Sequence, residues 1–307
     1  MKPKLIAIVG PNASGKTALG VRLAKALGGE ILSADSRQVY RGLDIGTGKA
    51  TKKEMRGVPH HLLSIASPAR QFTVDDFVKK ARRAYSLIRA NGRIPIVVGG
   101  TGLYVDMLLG RMSYPAVPPD PALRARLERK SAAQLLAQLK MLDPARAAAI
   151  EPHNKRRLVR AIEVAKGRSR TSLKDGTAWP SGLERRFEGS PAEADILWLG
   201  LNPGDKKLRE NIRARLRARL RAGMIKEAHG LHERGLSYRR MEELGLEYRY
   251  LARLLQKKIT REEFEVGLER AIARYAKRQV RWFKRNPDIV WVRNYAHALK
   301  LAKKFLA

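Results

Sequence analysis

Short runs of consecutive apolar residues alternate along the chain with longer stretches in which apolar positions return every three or four residues. The runs Lys4–Val9, Glu30–Ser33, Ile94–Val98, Ile196–Leu201 and Ile289–Val292 have the length and β-branched content of strands buried on both faces. Before the third of them, Val74, Phe77, Val78, Ala81, Tyr85 and Ile88 keep helical spacing. Thr73, with Asp76 three residues on, offers that helix an N-terminal cap, and Asn91-Gly92 offers it a stop. Strands alternating with helices of this kind predict the α/β class, with a parallel sheet covered on both faces.

From about Tyr114 to Ala194 the strand signal is missing. A joint containing Pro115, Pro118, Pro119 and Pro121 leads into Leu-, Ala- and Arg-rich helical patterns, followed by a Gly/Ser/Pro-containing stretch over Asp175–Pro191. The pattern therefore predicts a first part of the core over residues 1–113 and a helical insertion over 114–194. Residues 195–307 complete the core and add basic helices. No internal repeat interrupts this order.

Length and composition sharpen the picture. At 307 residues the chain is long enough for two domains, or for one α/β domain with an insertion, and 44% hydrophobic residues exclude wholesale disorder. The 63 Lys and Arg against 29 Asp and Glu give a net charge of +34, far beyond what solubility requires. Such an excess calls for a polyanionic partner, nucleic acid or an acidic membrane surface. Cysteine is absent, which excludes disulfide frameworks and thiolate zinc sites. The apolar run Leu5–Val9 is too short for a signal peptide or a membrane span, so a soluble, cytoplasmic protein is expected.

The chemistry begins directly after the first strand. Gly10, Pro11, Asn12, Ala13, Ser14, Gly15, Lys16 and Thr17 fit G-x-x-x-x-G-K-[ST] between a strand and a helix. Consecutive amides there form an anion nest at the positive end of a helix; Lys16 adds a cation for terminal phosphates and Thr17 a hydroxyl for Mg²⁺. The motif establishes a polyphosphate ligand without choosing one, and a kinase or other NTPase is the default. No clear acidic Walker-B strand end accompanies it. Instead Ile94–Val98 runs into Gly99-Gly100-Thr101-Gly102-Leu103-Tyr104, at the strand ends where α/β proteins bind ligands. The second strand runs into Asp35-Ser36-Arg37-Gln38 at that same edge, and Asp35 there is either a functional carboxylate or a turn cap.

Charge is also concentrated. On a helix through Arg270–Arg285, the residues Arg270, Arg274, Lys277, Arg278, Arg281, Lys284 and Arg285 share one face, opposite Ile272, Ala276, Val280 and Phe283. Seven cations without an acid repel one another, which points to phosphate contact. Arg209–Arg221 is similarly basic, but Ile212, Leu216 and Leu220 mark a buried stripe there, consistent with a merely solvated helix. His60-His61 and His229/His232 lack any zinc-binding arrangement, and Trp282 and Trp291 read as core.

The segments GPNASGKT, SADSRQVYRGLDIGTGKAT, VPHHLL, VVGGTGLYVDMLL, DPARAAAIEPHNKRRLVRAIEV and AKRQVRWFKR, in this order, resemble the tRNA dimethylallyltransferases, or tRNA isopentenyl transferases, over nearly the whole chain. The resemblance implies a P-loop NTPase-like core with an inserted helical domain. It implies transfer of a dimethylallyl group from dimethylallyl diphosphate to the N6 amine of the adenosine 3′-adjacent to the anticodon. In that family Asp35 is the general base, Thr101 holds the other side of the reaction centre, and the loop Gly10–Thr17 with Mg²⁺ at Thr17 holds the diphosphate. Carried over in the same way, Asp35, Ser36, Arg37, Gln38, Thr101, Arg124, Arg156, Arg157, Leu158, Val159, Arg160, Arg274, Arg278 and Arg281 would meet tRNA. The implied partner is the tRNA anticodon stem-loop, with no membrane, and the protein is expected to be monomeric.

Some residues depart from the family pattern. Where the family carries a tRNA-contacting Gly-Tyr-Arg/Lys-Glu, this chain has Leu244-Gly245-Leu246-Glu247-Tyr248-Arg249. Asn12 stands where Thr is commoner, and the Cys/His zinc finger of eukaryotic members is absent, as in the bacterial type. An adenylate isopentenyltransferase shares the chemistry, but a free nucleotide needs neither the helical insertion nor a charge of +34. A P-loop kinase or RNA-stimulated NTPase leaves Asp35 and Gly99–Tyr104 without a role, and a non-catalytic RNA-binding module leaves the phosphate loop without one.

Overall fold

The computed structural model describes residues 2–112, 117–175 and 190–307. Pro115, and most of the stretch Asp175–Pro191, lie outside the described residues. In chain order the elements are β1 (Lys4–Val9), α1 (Lys16–Leu27), β2 (Gly29–Ala34), α2 (Lys52–Met55), β3 (His60–His61), α3 (Val74–Ala90), β4 (Ile94–Gly99) and α4 (Gly102–Leu108). There follow α5 (Pro121–Glu128), α6 (Ala132–Leu142), α7 (Pro144–Ala149) and α8 (Lys155–Asp175). The chain then continues through β5 (Asp195–Gly200), α9 (Asp205–Arg221), α10 (Met224–Glu233), α11 (Tyr238–Leu244), α12 (Leu246–Leu255), α13 (Arg261–Phe283), β6 (Val290–Trp291) and α14 (Tyr295–Leu306). These fall into two units, Met1–Met112 with Phe187–Ala307, and Ser113–Arg186.

The first unit is built on a six-stranded sheet, order β3-β2-β4-β1-β5-β6, in which every described pairing is parallel. Strand β1 lies inside the sheet, with Ile6 opposite both Ile96 and Leu197. Because both faces are covered, its residues from Leu5 to Val9 are apolar without alternation. Leu5, Ala7 and Val9 pack with Phe77, Ala81 and Tyr85 of α3 and Val105 of α4, while Ile6 and Ile8 pack with Leu19 and Leu23 of α1 and Ala298 of α14. Helix α3 is capped by the reciprocal Thr73–Asp76 pair and buries Phe77, Val78, Ala81, Tyr85 and Ile88, the periodic residues of the sequence. Among these, Phe77, Val78 and Ile88 each contribute about 1.5–3 kcal/mol by leaving water. A third apolar cluster joins α9 to α13 with Val39, Tyr40 and Leu43 of the segment after β2.

The regular elements among the second unit's described residues are all helices. Asp120 caps α5, Ser131 and Gln134 form a capping box on α6, and Asp143 caps α7. Leu123, Leu127, Leu135, Leu139, Leu158 and Ile162 form its core.

Some strand limits differ from the pattern reading. Strand β2 spans Gly29–Ala34, β5 ends at Gly200, and β6 shrinks to Val290–Trp291, because an edge strand is held only where it meets a neighbour. Strand β3 carried no apolar signal: it is two histidines, aligned with Ile31 and Leu32. No described helix is long and apolar enough to cross a membrane.

Candidate active site

The carboxyl ends of β1, β2 and β4 open into one cavity, lined by Asn12, Ala13, Lys16 and Thr17 from the first, Asp35 and Gln38 from the second, and Gly99 and Gly100 from the third. After β1 the backbone must turn sharply, and Ala13 and Gly15 take positive φ values of 64° and 93° before α1 begins at Lys16. Lys16 Nζ donates to Pro11 O at 2.6 Å, folding the cation back over its own loop. Burial lowers its pKa from 10.5 to about 7; Asp35 opposes the shift and Arg215 adds to it. An ammonium held in so unfavourable a setting gains more than usual from an arriving anion. Thr17 is exposed at the cavity, and Ser14 Oγ is buried without a hydrogen-bond partner.

Asp35 is half-buried, and its two oxygens differ. Oδ1 accepts from the backbone N–H of Arg37 at 2.8 Å and of Gln38 at 3.3 Å, so it does cap the turn. Oδ2 takes no hydrogen bond among the described residues, although Asp35 lines the cavity. Holding one oxygen fixes the direction of the other. Thr101 secures the same turn from β4: its Oγ1 accepts from Ser36 N–H at 3.1 Å and donates to Ser36 Oγ at 3.4 Å. Tyr275, on α13, lies beside Thr101 and Asp35, and burial, then the nearby Asp35, pushes its pKa up to about 12. Burial likewise raises the Tyr104 pKa. Both phenols are therefore neutral beside Asp35.

Four contributors went unseen in the sequence. Gln279 is buried and clamps the phosphate loop to the β4 turn: its Oε1 accepts from Asn12 N–H at 2.8 Å, while Nε2 donates to Gly100 O at 2.7 Å and to Asn12 Oδ1 at 3.3 Å. A Cβ on Gly100 would lie 2.5 Å from Nε2, so only glycine admits this approach. Arg215 and Arg219 line the cavity from α9, and Arg219 pairs with the buried Glu247 at 3.1 Å. Loss of solvent, then the neighbouring Arg219, lowers the Arg215 pKa. Tyr275 is the fourth. A signal for the two arginines existed: Ile212, Arg215, Leu216 and Arg219 share one helical face, so these cations lie within the apolar stripe and not across from it.

The basic face of α13 is solvent-facing, with Arg270, Arg274, Lys277, Arg278, Arg281, Lys284 and Arg285 exposed and Ile272, Ala276 and Phe283 buried. Arg278 lies 5.4 Å over the Tyr275 ring and Arg285 4.2 Å over Trp282. Trp282 is half-buried and donates to Asp106 at 2.7 Å, a packing role. In the helical unit Arg156 and Arg157 are exposed, whereas the side chains of Leu158 and Val159 pack into the core. Arg124 grips Glu163 with two bonds of 2.8 Å, and Arg160 binds Glu163 and, at 2.9 Å, Val117 O. His61 pairs with Glu30 at 2.7 Å; among the described residues no group of three His, Cys, Asp or Glu could hold a metal.

Comparison with known proteins adds a family. The model described as IPP transferase matches residues 38–286, and one described as Isopentenyl transferase matches residues 3–69. The chain is 40% identical to the tRNA dimethylallyltransferase of Shouchella clausii, covering 98% of each sequence. It is 41% identical to that of Roseiflexus sp., covering 93% of this chain and 92% of the relative. Among solved structures it matches the full-length tRNA isopentenylpyrophosphate transferase of Bacillus halodurans at TM-score 0.70 and 36% identity, over 99% and 96% of the two chains. A eukaryotic dimethylallyltransferase acting on tRNA shares the fold at TM-score 0.76, with 24% identity over 98% of this chain and 77% of that one.

Proposed function

Because the chain belongs to the IPP transferase family, we propose that its cavity binds dimethylallyl diphosphate and that Asp35 activates the exocyclic amine of a tRNA adenosine. The protein is a transferase that prenylates tRNA. The observation that carries the mechanism is the meeting of the phosphate loop and a half-free carboxylate at one cavity. An N6 amine is a poor nucleophile because its lone pair is delocalised into the purine. Asp35 Oδ2 takes a proton as nitrogen attacks the allylic carbon, the bond from that carbon to the diphosphate oxygen breaks, and the leaving group keeps the electron pair. The loop amides, Lys16 and Arg215 receive the charge that develops on the diphosphate. Thr101, through Ser36, holds the turn that aims Asp35.

The donor set fits Mg²⁺. Thr17 offers one hydroxyl at the cavity, no protein cage competes among the described residues, and Mg²⁺ prefers few protein ligands together with substrate phosphate oxygens and water. Bound at Thr17, the ion would neutralise charge on the diphosphate. The acceptor is the adenosine 3′-adjacent to the anticodon, flipped from the anticodon stem-loop toward Asp35–Gln38 and Thr101, and a monomer suffices. Exposed Arg156, Arg157, Arg274, Arg278 and Arg281 supply phosphate contacts, while Arg124, Leu158, Val159 and Arg160 shape the helical unit that presents the first two. Competition decides among acceptors. With labelled dimethylallyl diphosphate and tRNA, AMP and ATP all supplied, label should enter tRNA. Label in AMP would indicate an adenylate isopentenyltransferase, and phosphate release from ATP a kinase-like enzyme.

A further inference from the structure

Part of the cavity wall is the loop Asp44–Gly48, which contributes Thr47 and Gly48 and has no regular structure. Three consecutive amides of this loop converge on one carboxylate. Asp44 N–H and Ile45 N–H donate to Glu227 Oε2 at 2.9 and 2.7 Å, and Gly46 N–H donates to Oε1 at 2.9 Å. The Tyr248 hydroxyl, from α12, gives the carboxylate a fourth donor, to Oε1 at 2.6 Å. Arg219 closes the other side, donating to Gly46 O at 2.6 Å and to Glu247 at 3.1 Å. Gly46 is pressed against the phenol: a Cβ there would lie 2.6 Å from the Tyr248 oxygen.

Three converging amides are themselves an anion nest. Here a glutamate of α10 fills the nest, so the loop is fixed from within. The consequence reaches the cavity at two points. Gln38, which lines the cavity beside Asp35, donates to Gly48 O at 3.4 Å, and a Cβ on Gly48 would lie 3.0 Å from Arg215 Nη2. A shift of the loop therefore moves the surface on which Arg215 rests. The segment Gly245–Tyr248, which departs from the family pattern, turns inward here: Glu247 holds Arg219 and Tyr248 holds Glu227.

We propose that Glu227, with Tyr248, is a positioning residue for the diphosphate site: it fixes the Asp44–Gly48 wall and through it Arg215. This rests on the reading that the cavity holds an allylic diphosphate. The test compares wild type, Glu227→Gln and Tyr248→Phe, using calorimetric titration with inorganic pyrophosphate and separate KM values for dimethylallyl diphosphate and tRNA. Glu227→Gln turns one acceptor into an NH₂ facing donors and should raise both the pyrophosphate Kd and the donor KM about tenfold, as for the loss of one charge-assisted hydrogen bond. Tyr248→Phe keeps the shape and should raise them about threefold. The tRNA KM should not change. If Glu227→Gln fails to fold, Tyr248→Phe decides alone. Lower melting temperatures with unchanged pyrophosphate affinity would make the cluster a strut and overturn the proposal. A wild type that fails to bind pyrophosphate would overturn the reading of the cavity itself.

Discussion

Replacing Gln279 by Leu tests whether α13 holds the phosphate loop in working shape. The substitution keeps the bulk but removes three hydrogen bonds, leaving Asn12 N–H and Gly100 O without their partner. The Gly100 contact is buried and the Asn12 contacts are half-buried, so water replaces part of the loss. At about 1–3 kcal/mol for each abandoned group, the total is about 2–4 kcal/mol. A unit of this size should then melt about 4–12 °C lower. The loop is also where the diphosphate binds, so the donor KM should rise about tenfold while the tRNA KM stays put. Asn12→Ala removes only the 3.3 Å contact and should cost about 1 kcal/mol or less. Thermal melting with steady-state kinetics on both variants reads these effects. A lower melting temperature with an unchanged donor KM would refute the reasoning, because Gln279 would then serve the core alone.

Asp35→Asn should lower kcat by about 10²–10⁴ with tRNA affinity retained, measured by single-turnover transfer at saturating tRNA; near-normal turnover would reduce Asp35 to its role as a turn cap. Arg281→Gln, on the exposed face of α13, should lower the slope of log K against log salt by up to about 1 in tRNA binding, equally for different tRNAs. In the helical unit, burial would push the Glu163 pKa up, but hydrogen bonds from Arg124, Asp120 N–H and Arg160 outweigh it, and the net shift is downward from 4.5. Its folded pKa lies below its unfolded one, so its stabilisation is present above pH 4.5 and is lost as pH falls through the folded value. Denaturant unfolding of Glu163→Gln should accordingly show lower stability at neutral pH and a flatter dependence in acid; an unchanged acid profile would contradict this.

Much of this protein is written in local pattern. The buried strands read as apolar runs because both faces of a parallel sheet are covered, and Thr73, Asp76 and the spacing of Phe77 to Ile88 specify α3 within one stretch of chain. The phosphate loop is equally local, since eight consecutive residues supply nest, cation and hydroxyl. Gln279 was not legible for the opposite reason. Its partners Asn12 and Gly100 are distant in sequence, and an amide in a basic helix resembles any solvated residue until the fold brings the three together. Strand β3 has no apolar residue to announce it. Arg215 and Arg219 were masked by the charge of α9, where cations on every side hid the two that follow the apolar stripe. Glu227 exerts its effect through backbone amides, which carry no sequence signature at all. In the helical unit the arginine-rich motif was visible, but Leu158 and Val159 within it pack inward, because a helix segment must give one face to its core.

The central claim, that the phosphate-loop cavity and Asp35 together allylate tRNA, is tested most directly by mapping the product. Unmodified tRNA transcript is incubated with the protein, Mg²⁺ and dimethylallyl diphosphate, then digested, and its fragments and nucleosides are weighed by mass spectrometry. The account predicts one added dimethylallyl group on the adenosine 3′-adjacent to the anticodon, with one diphosphate released per transfer. Unchanged tRNA, or a group added at another base, would contradict it.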